Sequence, residues 1–308
     1  MTAIPESIAT YHRVASNEAI AIYVAGMAPA PLAAEWRLVT RSVRKEILRT
    51  LIATSGLRDI YGALTTSGSH ALVLRHIFAP PISQDQLKLI APLFPKQSEK
   101  KGSKLAKAAA QQFADAFADR RDRFLTPWLD TNHSPTRRQT KRLIDTVTPM
   151  IGSQIFNTVR RNRLSDEQER AIEVLLAAKG WTKAPSMVVR SPADIVSSHY
   201  MRKTKCQSSA TATKEVDIAC GLTPTLILAM ECKVSNDGTN SVKRVSDVMD
   251  KVKAWKDNWG NFIQTAALLQ GVILYKDVAR MLTSDVQVFW SHDLQPLSDW
   301  LDSNVHAP

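Results

Sequence analysis

The sequence predicts a mainly α-helical N-terminal domain followed by an α/β domain in which helices flank a mixed sheet. Three observations carry this expectation. Apolar residues recur at three- and four-residue spacing through the first half, the mark of amphipathic helices. From about Leu164 the pattern becomes short apolar runs alternating with helical stretches, the order of an α/β domain. A chain of 308 residues also exceeds the usual single-domain size, so two cores are expected, with a boundary placed between 1–130 and 131–308.

In the first half, Leu38, Val39, Val43, Ile47, Leu48, Leu51 and Ile52 form one stripe of a helix from Ala34 to Thr54, and Gly56 offers a left-handed stop. Its other face carries Arg37, Arg41, Arg44, Lys45 and Arg49, either solvated or turned toward a polyanion. The polar stretch Pro95 to Lys104 reads as a loop or hinge, and the Ala-rich run Leu105 to Leu125 resumes a helix. A breaker from Asp130 to Pro135 follows, with Ser134 and Thr136 placed to cap the next helix. There the charge becomes one-sided: Arg137, Arg138, Lys141, Arg142, Arg160, Arg161 and Arg163 face Asp145 alone.

In the second half, Ser165 is expected to cap a helix through Lys179 that Gly180 ends. Candidate strands are Met187 to Arg190, Glu215 to Ala219, Leu226 to Val234, Gly271 to Tyr275 and Val286 to Trp290. Val242, Val245, Val248, Met249, Val252, Trp255 and Trp259 recur at helical spacing, and a short helix is expected near Ala279.

Composition narrows the function. Forty Lys and Arg against 29 Asp and Glu give a formal charge of +11 and a pI near 9.7, a field that favours nucleic acid or an anionic membrane surface. No apolar run approaches the length of a spanning helix, and the start Met-Thr-Ala-Ile-Pro-Glu lacks a signal peptide's basic and apolar segments, so a cytoplasmic protein with no membrane partner is expected. Cys206, Cys220 and Cys232 include no CxxC pair and read as reduced, packed thiols. His199 and His292 lack a spaced partner for zinc or a nucleophile triad, and Trp255 and Trp259 read as packing. The absence of a GxxxxGK[ST] loop disfavours an ATP-driven motor, and the absence of a Gly-rich loop after a strand disfavours a methyltransferase.

The chemistry is concentrated in Glu215-Val-Asp-Ile-Ala219, a turn through Gly221 and Pro224, and Leu226-Ile-Leu-Ala-Met-Glu-Cys-Lys233. Residues two apart on a strand share a face, so Glu231 and Lys233 point one way and Cys232 the other. If the two strands pair antiparallel across the turn, Asp217 comes level with the far end of its neighbour. Two carboxylates and a lysine then converge on one sheet edge. Asp217, Glu231 and the backbone carbonyl of Cys232 suit Mg2+, a hard ion that prefers oxygen ligands, and Lys233 suits the orientation of a water for attack on a phosphodiester. A second [DE]xK, Glu99-Lys-Lys101, has no apolar strand before it, and its context rejects it.

This region resembles the PD-(D/E)xK nuclease core. The wider text, from Met201-Arg-Lys-Thr-Lys-Cys-Gln through Glu-Val-Asp-Ile-Ala-Cys-Gly and Met-Glu-Cys-Lys-Val-Ser-Asn-Asp to Asn240-Ser-Val-Lys-Arg244, resembles the XamI-like type II restriction endonucleases. The resemblance covers about residues 164 to 290. It implies a restriction-endonuclease-like sheet and Mg2+-dependent cleavage of double-stranded DNA at a short site, with Asp217 and Glu231 as metal ligands and Lys233 beside the attacking water. Val216 stands where the family's usual proline precedes the aspartate. The superfamily often places one more acid on the helix before the sheet; Glu173 is the candidate, Glu169 one turn earlier the alternative, and Glu215 shares the face of Asp217.

DNA contacts are expected from Arg137, Arg138 and Lys141, from Arg202, Lys203, Lys205 and Gln207, and from the loop and helix start holding Asn236, Asn240, Lys243 and Arg244. The loop 235–240 is equally a tight turn rich in Asn and Gly. The expected assignment is 1–130 as a helical domain for DNA binding or dimerisation and 131–308 as the nuclease with basic entry helices. A homodimer and a cognate DNA methyltransferase in the same system are expected partners. Two other readings stay open: a repair or recombination nuclease selecting structure rather than sequence, and a DNA-binding protein with no competent metal site.

Overall fold

The structure, a computed structural model, describes residues 4–95, 98–100 and 102–305. The loop expected at Pro95 to Lys104 therefore lies partly outside the described residues, as does Lys101 of the second [DE]xK. Contacts divide the chain into two compact units, Pro29–Val159 and a second made of Met1–Ala28 with Arg160–Pro308, not at the expected 130/131 boundary. Two helices account for the difference. The first, α1 (Glu6–Ala25), buries Ala15 and Ala19 with Val245, Ala267 and Trp290 of the α/β core. The other is the 42-residue α7, described below.

The helical unit contains α2 (Pro29–Ala53), α3 (Ile60–Thr66), α4 (His70–Arg75), α5 (Gln84–Ile90), α6 (Lys107–Arg120) and the first part of α7 (Arg137–Ala178). Its core joins Ile47, Leu64, Leu74, Phe78, Phe94, Phe113, Trp128 and Leu143. Each such side chain, fully withdrawn from water, contributes roughly 1.5–3 kcal/mol of hydrophobic stabilisation. Gly56, at φ +72°, supplies the expected left-handed stop after α2, and Trp128 Nε1 donates to its carbonyl at 2.8 Å.

Thr136 forms a reciprocal cap at the start of α7: its Oγ1 accepts from Gln139 N at 3.3 Å while its own N–H donates to Gln139 Oε1 at 2.8 Å. The helix does not restart at Ser165, as expected from sequence, but runs through it. Helical spacing continues across that residue, with Leu143, Val147 and Ile151 buried in the helical core and Ile172 and Leu176 in the α/β core. Gly180, at φ +80°, ends it.

The α/β unit is built on a seven-stranded mixed sheet of β1 (Thr182–Lys183), β2 (Val188–Val189), β3 (His199–Gln207), β4 (Thr213–Thr223), β5 (Leu226–Ser235), β6 (Ile263–Gly271) and β7 (Gln287–Trp290). The path runs β1-β3-β4-β5-β6-β7, with β2 also on β3. Pairing is antiparallel through β3, β4 and β5 and parallel through β5, β6 and β7. One face packs Leu228, Met230 and Cys232 against Ile172 and Leu176 of α7 and Leu297 and Leu301 of the C-terminal helix. The other packs Ile227 and Ala229 against Trp255, which lies on α8 (Gly238–Trp259).

Two expected boundaries are corrected. The strand expected at Gly271 to Tyr275 is instead β6, which ends at Gly271, and Tyr275 opens α9 (Tyr275–Leu282). Thr265 to Leu269 is buried on both faces, so β6 lacks the alternation that marks a half-exposed strand. The basic stretch Arg202 to Gln207 belongs to a full strand, β3, and the final helix α10 (Gln295–Asn304) was not expected. Among the described residues no single helix is long and apolar enough to cross a membrane.

Candidate active site

The β4–β5 hairpin sets Ile218 opposite Met230 and Ala219 opposite Ala229, so one further step brings Asp217 beside Glu231. At that step the ladder stops. Asp217 Oδ2 instead accepts the backbone N–H of Cys232 at 2.8 Å. On the other flank, β3 pairs through Arg202 with Ile218 and through Thr204 with Val216, but skips Lys203, which has φ +51°. A left-handed residue inside a strand interrupts its ladder, so Asp217 sits where both neighbouring strands part.

The expected trio meets there. Lys233 Nζ lies 2.6 Å from Glu231 Oε2 and 3.6 Å from Asp217 Oδ2. Strand alternation puts Glu231 and Lys233 on the α8 face and buries Cys232 on the α7 face, as expected. A fourth residue, not anticipated from sequence, completes the group. Lys251 of α8 places Nζ 2.7 Å from the same Glu231 Oε2 and donates to the Glu215 carbonyl at 2.8 Å. The signal was its position among Val248, Val252 and Trp255, all buried, which holds residue 251 close to the sheet.

Burial pushes the fully enclosed Glu231 carboxyl above its ordinary range, against the pull of Lys233 and Lys251. Burial lowers the Lys233 ammonium, but Glu231 and Asp217 outweigh it, so Lys233 is held protonated. The Cys232 thiol is raised well above its usual range by burial and by the surrounding carboxylates, which leaves it inert.

The donor set fits a hard divalent cation. Glu231 Oε1 is buried with no hydrogen-bond partner among the described residues, while Asp217 is partly open at 26% side-chain exposure. No group of three His, Cys, Asp or Glu placed to hold a metal ion occurs among the described residues, so the protein offers two carboxylates and backbone oxygen. Such a partial set leaves positions for water and phosphate oxygens, as Mg2+ prefers.

Asp217, Cys232 and Lys233 line a cavity of about 320 Å3, together with Arg161, Asn162 and Ser165 of α7 and Arg244 of α8. Of the expected DNA contacts, Arg244 therefore stands at the site and Lys243 is exposed beside it in the chain. Asp237 caps α8 by accepting from Asn240 N at 2.8 Å, so residues 238–240 open the helix rather than forming a separate turn; Asn236 Oδ1 is buried without a partner among the described residues.

Glu173 is not brought to the trio. Arg202 forks to Glu169 at 2.8 Å, to Glu173 at 3.0 Å and to Asp166, and Lys183 adds a contact to Glu173 at 2.6 Å. Arg202 is thus engaged by three carboxylates of α7. Glu169, 2% exposed, also receives Lys203 at 3.2 Å. Lys205 is exposed, and Gln207 Nε2 donates to Ser209 O at 3.0 Å. In the helical unit Arg137, Arg138 and Lys141 are all exposed, although Lys141 and Arg44 share Asp145 at 2.6 and 2.9 Å.

A mixed sheet between helices, with an acid pair and a lysine where its strands part, defines a restriction-endonuclease-like fold. The model of the XamI restriction endonuclease family matches residues 55–290, and the chain belongs to that family. The type II restriction enzyme XamI of Xanthomonas campestris pv. amaranthicola is 31% identical over 189 residues. That match covers 61% of this chain and 66% of that enzyme, just short of two thirds of its length. The crystal structure of protein VC1899 from Vibrio cholerae superposes with a TM-score of 0.30 at 10% identity, over 85% of this chain and 57% of that one, too slight a likeness to describe this fold.

Proposed function

We propose that this protein is a Mg2+-dependent type II restriction endonuclease that hydrolyses phosphodiester bonds of double-stranded DNA at a short specific site. The observation that carries the reading is one ammonium, Lys233, within 4 Å of two carboxylates at a cavity that two guanidiniums also line. Family membership and the name of the XamI relative support it.

Asp217 and Glu231, with the Cys232 carbonyl, would hold the cation. When bound, Mg2+ lowers the pKa of a water and offsets charge on the phosphoryl oxygens. Lys233, beside both acids, orients the attacking water and stabilises negative charge developing at phosphorus. Arg161 and Arg244 draw the DNA backbone into the cavity and fix its register. Arg137, Arg138 and Lys141 are assigned to backbone phosphates farther from the cut. Two copies related by a two-fold axis would match a palindromic site, and a cognate methyltransferase would protect the host's own copies of it.

The test is incubation of the full chain with unmethylated DNA of diverse sequence. Discrete fragments are expected in Mg2+ and none in EDTA, with cutting lost in Asp217→Ala and Lys233→Ala while DNA binding persists. DNA left intact across a randomised library overturns the proposal. Cutting of branched or flapped duplexes alone replaces it with the structure-selective reading, and an unaltered phenotype in Asp217→Ala replaces it with binding alone.

A further inference from the structure

The α/β unit holds a second cavity, of about 310 Å3, whose lining shares no residue with the one at Asp217. It opens where α1 and the 160–164 turn of α7 meet the C-terminal ends of β6 and β7. Its volume lies at the lower end of the range for small-molecule sites. Gln270 lines it and pairs in register with Val234, which lines the Asp217 cavity, so the two share one end of the sheet.

Three polar groups around this cavity lack what burial ordinarily demands. Arg160 is only 9% exposed, yet has no carboxylate partner among the described residues. Its guanidinium rests over the Tyr23 ring at 5.0 Å, a contact that offsets only part of the cost of burying a cation. Gln270 Oε1 and His292 Nε2 are both buried without hydrogen-bond partners among the described residues. Glu18 Oε2 stands 3.5 Å from His292 Nε2, beyond good hydrogen-bond length, and its side chain is largely in solvent.

A buried guanidinium calls for an anion, and its planar fork matches phosphate oxygens. His292 Nε2 can donate in one tautomer, and reversal of the Gln270 amide presents its NH2 in place of Oε1. Phosphate alone is much smaller than the cavity, and Ile22, Tyr23 and Leu164 supply an apolar wall for what it carries. We propose that this cavity is a nucleotide-binding site, taking one phosphate on Arg160, Gln270 and His292 and the attached nucleoside against Ile22, Tyr23 and Leu164. The site does not depend on the hydrolytic reading. Its occupant is either a free nucleotide or a nucleotide of a DNA strand, which present the same chemistry.

The full chain, in EDTA, is titrated calorimetrically with each deoxynucleoside 5′-monophosphate, with inorganic phosphate and with the deoxynucleosides. One equivalent of at least one monophosphate is expected to bind, tenfold or more tightly than either half alone. Arg160→Met weakens that binding at least tenfold, Arg160→Lys recovers part of it, and Asp217→Ala binds as the unaltered chain does. His292→Phe and Gln270→Ala carry the same test should Arg160→Met lower the melting temperature. A 5′-phosphorylated trinucleotide containing 2-aminopurine identifies the source: an Arg160-dependent fluorescence change assigns a strand nucleotide, and its absence beside monophosphate binding assigns a free one. The proposal is overturned if no monophosphate binds, if phosphate alone binds as tightly, or if neither Arg160→Met nor the two alternative variants changes the affinity.

Discussion

Lys251 Nζ sits 2.7 Å from Glu231 Oε2, the same oxygen that Lys233 Nζ approaches to 2.6 Å. One fully buried carboxylate oxygen is thus shared by two ammoniums from different elements, a strand and a helix. Because Lys251 also donates to the Glu215 carbonyl, it ties Glu231 to the β4 segment that carries Asp217.

Lys251 is therefore a positioning residue, and its removal costs rate rather than DNA affinity. Lys251→Met should slow single-turnover cutting by about 10- to 100-fold, the usual scale for a group that orients a metal ligand. Lys251→Arg, which keeps charge and donors, should restore part of the loss. An unchanged rate in Lys251→Met, with DNA affinity also unchanged, would show the contact to be structural only.

Arg202 should prove a stability residue. Its guanidinium forks to Asp166, Glu169 and Glu173, and these contacts raise its own pKa despite partial burial while Arg202 lowers that of Asp166. Arg202→Met removes the one cation that Asp166, Glu169 and Glu173 share, leaving each with a single flanking partner in Arg170, Lys203 or Lys183, and loss of this partly buried fork costs roughly 1–3 kcal/mol. Arg202→Lys should recover little, because a single ammonium cannot reproduce the fork. Urea denaturation measures the loss. A variant with an unchanged midpoint but weakened DNA binding would instead return Arg202 to the phosphate-contact role expected from sequence.

The contrast between Lys233 and Arg202 shows which parts of the site were legible. Glu231, Cys232 and Lys233 were readable because a strand's period of two is local, and the tight turn at Pro224 and Thr225, three residues past the expected Gly221, still sets the register that brings Asp217 level. Arg202 and Glu173 looked like separate functional candidates because their mutual pairing joins a helix to a strand 29 residues away. Strand β3 was not among the expected strands: Lys203 and Lys205 are exposed while Thr204 and Cys206 are buried, an alternation hidden by its basic composition. Strand β6 offered no such pattern, being buried on both faces, and nothing local in α1 said that it packs with residues more than 200 positions later.

His12 makes the fold sensitive to acid. Burial lowers its pKa from 6.5 to about 4, and Trp290 Nε1 donates to its Nδ1 at 3.1 Å, which requires an unprotonated ring nitrogen. Between those values the unfolded chain binds the proton and the folded chain does not. The stabilisation from a neutral His12 is thus complete above about pH 6.5 and is lost as pH falls toward 4, by up to about 3 kcal/mol. His12→Phe should flatten that part of the stability curve. Urea midpoints of both chains across pH 4 to 7 measure it, and parallel curves would refute the assignment.

Arg161 and Arg244 should separate from Arg202 in their effect on DNA. They reach the Asp217 cavity from α7 and α8, on opposite sides of the acid pair in sequence, and neither is fully buried. If each neutralises one backbone phosphate, replacing either by Ala lowers affinity for all sequences alike and reduces the slope of log affinity against log salt by about 1. The double variant should reduce it by about 2, because separate phosphate contacts release separate counterions. Arg202→Met should leave the slope unaltered, its charge being already met by carboxylates within the fold. Binding isotherms in Ca2+ at several salt concentrations measure all four proteins. A slope that changes with Arg202 but not with Arg161 or Arg244 would move the DNA backbone from the cavity to the β3 face of the sheet.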